Sequence, residues 1–426
     1  MLQALLAGVA SIKAQQTRMN VIGNNLANVN TTAFKGSRVT FQDMIAQTIR
    51  GASAPSGSLG GMNPIQYGLG VLVAGTDTNN EQGSLNATNR PGDLAIQGNG
   101  YFLVSNGATM VYTRDGAFDL DASGNLVQRA TGQRVLGWSA DSVGTIDTTQ
   151  PVGSGSGLNV PVGQLNAVQQ TSRVTMAGNL NGTAPATATW STTVRVFDQL
   201  GAPRDITLNF KNHQVPAQGA NQPTGTASSW EWEATYDGQV IGGSGTGTNQ
   251  PLYFDAGGKI LNAAVLGAIN VPASASAGAF SIDLDFGRLG QLNTESTVQA
   301  SSQNGFPPGS LQGFSVGSDG VVTGIFTNGL TRPLGQIAMA VFPNPGGLER
   351  LGNNLWRATD NSGIAVVGSP RSGGRGAINS GFLEQSNVDI GSEFTDLIVT
   401  QRGFQANTRV VTTVDEMLQD LINMKR

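Results

Sequence analysis

Apolar residues recur every seven positions at the two ends of the chain. The positions are Leu5, Ile12, Met19 and Leu26 near the start, and Leu397, Phe404, Val411 and Leu418 near the finish. A period near 3.5 keeps one face of a helix towards a partner helix, as in coiled coils. Neither stripe is wide enough to form a globular core alone. We therefore expect a helix at each end and expect these eight residues to pack helices together, between subunits or within one chain as a plain helix hairpin.

Between the two stripes the pattern changes to short β-like runs. Residues 93–128 alternate between apolar and polar and are broken by Asn-Gly, Asp-Gly and Ser-Gly pairs, which are typical of hairpin turns. A second β region begins near residue 150, and the first pattern resumes near residue 310. Residues 34–69 indicate an extended or loosely ordered linker.

The order of these segments predicts a nested, multidomain fold, with terminal α-helices in a coiled-coil-like region and all-β domains of barrel or sandwich type between them. Nested insertion brings both chain ends together, as the two stripes require. The expected boundaries are 1–30 and 386–426 for the terminal helical domain, 31–70 and 364–385 for the linker, 71–149 and 301–363 for the inner β domain, and 150–300 for an inserted outer β domain.

The amino-acid composition argues against several classes of function. Charged residues make up 12% of the 426 positions, about half the usual share, so the surface suits close protein–protein contact. The formal net charge is −4 with no basic run, which argues against nucleic acid. The absence of cysteine excludes disulfides and thiolate chemistry. The apolar first ten residues lack a basic flank and soon meet Lys13 and Arg18, so we expect neither a cleaved signal peptide nor a membrane helix.

Several fragments resemble sites for chemistry, and each has a plainer interpretation. The run Gly313–Gly317 fits G-x-S-x-G, but the single histidine, His213, precedes it, and a hydrolase triad needs histidine after the serine. We expect His213 to lie on the surface. The run Asp119–Gly124 begins like an EF-hand loop, but its twelfth position is Ala130, so a hairpin turn is expected.

Two further fragments also favour structural interpretations. Asp283 and Asp285 share one face of a strand, which we expect to be the wet face, and paired acids for glycoside cleavage must flank a groove. The glycine-rich runs 68–70 and 242–247 lack a following helix and a phosphate-binding lysine. We predict no catalytic, cofactor or metal residues, and no small-molecule substrate.

Five ordered blocks resemble the bacterial flagellar axial proteins, the family of the rod, the hook and the hook–filament junction. They are residues 24–35, 89–104, 112–128, 334–356 and 381–411. The middle region resembles the inserted outer domain of hook members, whereas rod members are typically shorter. Ala33 departs from the family pattern, which usually has glycine there. The family motif falls on Asn24, Asn25, Leu26, Ala27, Asn28, Thr31, Phe34, Lys35, Ser386, Asn387, Val388, Gln401 and Arg402.

The resemblance implies a structural subunit and not an enzyme. It implies a homopolymer that forms the hollow, flexible hook and transmits motor torque to the filament. Implied partners are rod and hook–filament junction proteins, the hook cap and the flagellar type III export apparatus, with export to the cell exterior without a cleaved signal. A distal-rod protein of the same family is the alternative. A secreted β-rich adhesin or glycan-active enzyme is a remote one.

Overall fold

The computed structural model describes residues 2–55, 60–141, 144–161, 165–215, 222–244, 249–262, 267–274 and 277–424. The chain divides into two compact units. Unit 1 comprises 1–160, 314–323 and 333–426, and unit 2 comprises 161–313 and 324–332.

A long helix lies at each end of the chain. Helix α1 spans Leu2–Ala27 and helix α2 spans Ile390–Asn423. The side chain of Asn28 donates to the carbonyl of Asn24 at 2.9 Å and so competes with the helical backbone where α1 ends. Asp389 caps α2 by accepting a hydrogen bond from the Ser392 amide at 2.8 Å. Within the described ranges, neither helix is long and apolar enough to cross a membrane.

The segment interpreted as a linker forms antiparallel ribbons, in which β1 pairs with β4 and β2 with β3. The first twelve strands are β1 Ser37–Asp43, β2 Ala46–Arg50, β3 Ile65–Gly68, β4 Val71–Thr78, β5 Leu85–Ala87, β6 Leu94–Gln97, β7 Tyr101–Ser105, β8 Met110–Thr113, β9 Phe118–Leu120, β10 Leu126–Gln128, β11 Arg134–Val135 and β12 Gly137–Ser139.

Unit 2 holds the next ten strands and begins the eleventh, which runs on into unit 1. They are β13 Leu165–Gln169, β14 Arg173–Asn181, β15 Trp190–Phe197, β16 Pro203–Gln214, β17 Ser228–Tyr236, β18 Gln239–Gly243, β19 Leu252–Phe254, β20 Gly267–Val271, β21 Phe280–Leu292, β22 Gln299–Gln303 and β23 Phe306–Val316. The remaining strands are β24 Val321–Phe326, β25 Thr331–Ile337, β26 Met339–Val341, β27 Glu349–Gly352, β28 Leu355–Arg357, β29 Val366–Gly368, β30 Ala377–Ser380 and β31 Phe382–Glu384, with a 3₁₀ turn at Pro345–Gly347.

The core of unit 1 is a nine-stranded sheet with the order β27-β28-β8-β7-β11-β10-β9, to which β26 and β29 are joined through β7. Strand β7 is buried along its whole length, so both of its faces are covered. On one face Tyr101 packs edge-on against Phe342, and on the other Phe102 packs edge-on against Phe118, with centroids 5.9 and 5.1 Å apart. Strands β30 and β31 pair with β6 and β5, which carries the chain back towards α2.

Unit 2 contains the sheets β20-β21-β14-β22 and β15-β16-β17-β18, with β19 on β17. Alternate residues of β16 are buried, and Phe210, Trp230 and Trp232 are among the largest fully buried side chains. This is the alternation expected where one face of a strand meets a core. Asp283 and Asp285 lie on the partly exposed face of β21, opposite its buried apolar residues.

The prediction that His213 is a surface residue was wrong. His213 ends β16 and is 4% exposed. Its ring stacks on Trp230 at 4.9 Å, Nδ1 lies 2.8 Å from the Ala184 carbonyl oxygen, and Nε2 lies 3.0 Å from the side-chain nitrogen of Gln291. The polar sequence around His213 suggested an exposed position. Both imidazole nitrogens instead have hydrogen-bond partners inside unit 2, which offset the free-energy cost of burying the ring.

Three loops, at 121–125, 198–202 and 255–259, have aspartate at the first position and glycine at the fourth. In each, the aspartate side chain accepts from the backbone amide of the fifth residue at 2.8–2.9 Å. The glycines have φ of +79° or +80°, as a type I turn followed by a bulge requires. The EF-hand-like run belongs to the first of them, and is therefore a hairpin turn as expected.

Candidate functional site

Helices α1 and α2 pack antiparallel, mainly through small and polar residues. Asn407 Nδ2 donates to Ser11 Oγ at 2.6 Å, and Arg18 pairs with Asp396 at 3.0 Å. A Cβ on Gly8 would lie 3.0 Å from Val411, so the backbones approach closely there. The buried apolar side chains of the two helices are Ala14, Ile22 and Val414.

The eight stripe residues of the sequence analysis are all only partly buried in the single chain. They are Leu5, Ile12, Met19, Leu26, Leu397, Phe404, Val411 and Leu418. On α2 the stripe overlaps the contact seam, since Val411 faces Gly8, and on α1 the hydrogen bond and the ion pair fall at Ser11 and Arg18, each next to a stripe position. The two ends of the chain do meet, and an apolar face remains open.

Further large apolar side chains on both helices are exposed. They are Leu6 and Val9 on α1, and Ile390, Phe394, Ile398, Val399, Val410, Met417, Leu421 and Ile422 on α2. Large apolar side chains exposed in this number are typical of a surface that contacts another protein. We call these ten residues and the stripe together the apolar helix faces.

The motif residues after α1 and before α2 form a polar junction. Asn25 is 1% exposed, and its side chain bonds both backbone polar groups of Ser37, at 3.0 and 2.7 Å, and Glu393 at 2.9 Å. Burial raises the pKa of the Glu393 carboxyl above its ordinary value. Asn25 thus ties the end of α1 to β1 and to the first turn of α2.

Asn387 has the corresponding role on the C-terminal side. Its Oδ1 accepts from the Gly36 amide at 2.8 Å, and its Nδ2 donates to the carbonyls of Asn79 and Glu81 at 2.9 and 3.0 Å. The Ser386 hydroxyl accepts from the Val388 amide at 3.3 Å. Asn387 therefore fastens three separate chain segments.

A buried charge cluster lies at the same junction. Lys35 Nζ is 2.6 Å from Glu384 Oε1 and 2.7 Å from the Glu81 carbonyl oxygen, and Arg114 Nε is 3.4 Å from Glu384 Oε2. Glu384 Oε1 also accepts from the Gly83 amide at 2.9 Å. Burial lowers the pKa of Lys35, and the Glu384 carboxylate opposes that shift. We name Lys35, Arg114 and Glu384 the charge cluster.

The remaining motif residues surround this cluster or lie on the helices. Phe34 is buried and Ala33 takes φ +56°, so the alanine holds the left-handed conformation that glycine adopts more easily. The Asn28 side-chain oxygen accepts from the Thr31 hydroxyl at 3.1 Å. Ala27 is exposed at the end of α1, Asn24 is exposed, and Gln401 and Arg402 are exposed on α2.

Sequence reasoning missed Glu384 and Arg114. The available signal was a glutamate directly after Phe382 and Leu383 in a chain with few charges, because a charge within an apolar run is often paired and buried. No group of three or more metal-binding side chains was found among the described residues.

Family models match most of the chain. They are "Flagella basal body rod protein" over 5–35, "Flagellar hook protein FlgE/F/G D1 domain" over 95–179, "Flagellar basal body protein FlaE D2 domain" over 164–306 and "Flagellar basal body rod FlgEFG protein C-terminal" over 379–424. Together with the helical ends and β-rich units, these matches define the class as an axial structural protein of the bacterial flagellum.

Full-length relatives show which family within this class the chain resembles. The chain is 36% identical to the flagellar hook protein FlgE of Treponema pallidum over all of both chains, and 32% identical to FlgE of Escherichia coli over 99% of this chain and all of that protein. The crystal structure of Helicobacter pylori hook protein FlgE2 matches with a TM-score of 0.51 at 15% identity, over 70% of this chain and 100% of that one, which supports the fold. The chain belongs to the flagellar hook protein family and is a structural subunit of the hook.

The expected difference in size between hook members and rod members, which rests on the middle region, is not general. The Bacillus subtilis flagellar basal-body rod protein FlgG is 31% identical over the whole of both chains. Since a rod protein of comparable length exists, the middle region alone does not make the distinction.

Proposed function

We propose that copies of this chain polymerise through the apolar helix faces into a hollow, flexible tube that transmits motor torque to the filament. The observation that carries this proposal is the arrangement of α1 and α2. Their mutual contact uses small and polar residues, while large side chains such as Phe394 and Ile398 remain exposed. Burying such side chains against neighbours is favourable by about 1.5–3 kcal/mol each.

The same proposal extends to the partners of the chain and to its cellular location. It holds that the subunit contacts rod and hook–filament junction proteins and the hook cap, is exported by the flagellar type III apparatus without a cleaved signal, works outside the cell and catalyses no reaction. It also holds that the four-part domain division of the sequence analysis describes its functional parts. Membership of the flagellar hook protein family supports the flagellar location and the structural function in this proposal.

The test is Ile398→Asp with Gln405→Asp as the matched control. Ile398 is 51% exposed, so its replacement leaves the monomer folded. A carboxylate buried in an apolar contact costs several kcal/mol, so tubes should be absent by electron microscopy. Gln405 is an exposed polar residue of the same helix, and its variant should polymerise. Normal tubes from Ile398→Asp would contradict packing through this face.

The full-length match to the Bacillus subtilis rod protein favours one second candidate, a role in the distal rod in addition to the hook. Electron microscopy of basal bodies from a strain that lacks the gene separates the two. A complete rod without a hook supports the hook assignment, and a truncated rod supports the second candidate.

A further inference from the structure

The junction in unit 1 carries more positive than negative charge. Lys35 and Arg114 share the single carboxylate of Glu384. A third cation, Arg350, donates from Nη2 to the carbonyl of Lys35 and belongs to no ion pair in the described part of the chain. Three cations therefore adjoin one acid in a region that is largely removed from water.

Arg350 is held in a fixed position and lacks an anionic partner. Its guanidinium lies over the rings of Phe34 and Trp356, at 5.2 and 4.9 Å from their centroids. Its Nε is buried without a hydrogen-bond acceptor in the structure. Burial lowers the pKa of Arg350. Two aromatic faces orient the planar group but supply no charge.

A cavity of about 250 Å³ adjoins Arg350. Its lining includes Lys35, Asn24, Asn28 and Asn353, and none of its lining residues in the described chain is acidic. One water occupies about 30 Å³ of liquid, so the space accommodates a carboxylate side chain. The chemistry of the lining, with two cations and several amides, suits an anion.

We propose that this cavity binds an aspartate or glutamate side chain from a neighbouring copy of the chain in the polymer. The inference rests on the proposed function. A guanidinium with free donors takes a carboxylate through paired hydrogen bonds. The acid next to Arg350 in the sequence, Glu349, does not supply this carboxylate, since it is paired with Arg357.

Charge complementarity points to a second copy. The chain has a net charge of −4, and several exposed acids take part in none of its described ion pairs. Examples are Asp415, Glu416 and Asp420 on α2, which carries the apolar helix faces. The cavity opens beside the end of α1, where Asn24 is exposed. Assembly through these helices brings acids of one copy near cations of another.

The test uses Arg350→Lys in assembled tubes treated with a water-soluble carbodiimide. The reagent joins an amine to a carboxylate only when the two are in contact, and arginine does not react. Tubes are grown from an equal mixture of ¹⁵N-labelled and unlabelled chains, and crosslinked peptides are mapped by mass spectrometry. We expect peptides that join position 350 to one acidic segment, with mixed isotopes, and we expect none from wild-type tubes or the dilute variant.

A measurement on wild-type protein covers the case in which the variant does not fold. Phenylglyoxal modifies accessible arginines, and we expect Arg350 to react at least tenfold more slowly in tubes than in monomer, while exposed Arg195 in unit 2 reacts equally in both. Crosslinks within one chain only, no crosslink in intact variant tubes, or equal Arg350 reactivity would overturn the inference. A wild-type protein that forms no tubes would instead contradict the proposed function.

Discussion

Replacing Glu384 with glutamine should destabilise unit 1 strongly. Glu384 supplies the only carboxylate of the charge cluster, at 2.6 Å from Lys35 and 3.4 Å from Arg114, and both cations are at least 95% buried. Removing one partner of a buried ion pair leaves an uncompensated charge and costs about 3–5 kcal/mol. The glutamine amide still offers an oxygen to the Gly83 amide, so the loss is mainly electrostatic.

The companion variant Lys35→Met should cost less. It leaves Glu384 paired with Arg114 and bonded to Gly83, so one cation and one anion remain balanced. It also removes the lysine donor from the Glu81 carbonyl, which keeps its hydrogen bond from Asn387 Nδ2, so this loss costs only about 0.5–1.5 kcal/mol. The control Glu349→Gln breaks an ion pair with Arg357 whose side chains are 50% and 57% exposed, and should cost less than about 1 kcal/mol.

Hydrogen exchange with mass spectrometry is the suitable assay because it reports on each unit separately. In Glu384→Gln, strands β6 and β30 should exchange faster by roughly two to four orders of magnitude, since each 1.4 kcal/mol is tenfold. Exchange in unit 2 should be unchanged. If Glu384→Gln costs no more than Lys35→Met, the net charge of the cluster does not control its stability, and the reasoning is refuted.

Two other substitutions test the turns and the helix junction. Gly258 and Gly238 have φ of +79° and +75°, but a Cβ at Gly258 would lie 1.9 Å from the Gln291 carbonyl oxygen and one at Gly238 meets nothing within 4 Å. Gly238→Ala should therefore cost about 1–2 kcal/mol and Gly258→Ala clearly more, as measured by denaturant unfolding followed by tryptophan fluorescence. Because burial raises the pKa of the Glu393 carboxyl, the contribution of this group to stability is full below the ordinary value of 4.5 and falls as pH rises through the folded value. Glu393→Gln keeps an acceptor for Asn25 and should abolish that fall, as followed by helical circular dichroism against pH.

The fold class was accessible from sequence because it depends on periodicity. The heptad stripes predicted α1 and α2, and the aspartate and glycine pairs predicted the hairpins, because turns with φ > 0 need glycine. The exact helix contact was not accessible. A stripe shows which residues are apolar, but Gly8, Ser11 and Asn407 form the intramolecular seam through close backbone approach and hydrogen bonds, which no apolar period records.

The polar junction was accessible only in part. The family motif identified Asn25, Lys35 and Asn387 as residues of interest, but their partners are more than 300 positions away or are backbone groups. His213 shows the same limit, since its burial depends on Ala184 and Gln291 from other strands and loops. Pairing of this kind depends on tertiary geometry, and local sequence does not encode which partner a polar side chain finds.

The position of the polar network bears on how a subunit can transmit torque. The two helices leave the β-sheet of unit 1 through segments 34–37 and 384–388, and the side chains of Asn25, Glu384 and Asn387 join these two segments to residues 79–83 and to each other. Such a buried, largely satisfied network resists twisting of the helices against the sheet. The apolar helix faces hold few charges, and apolar contact is non-directional, so in the proposed polymer neighbouring copies can shift along these faces with few ion pairs to break, the one proposed at Arg350 among them. Stiffness within a subunit and compliance between subunits follow from this division of polar and apolar contacts.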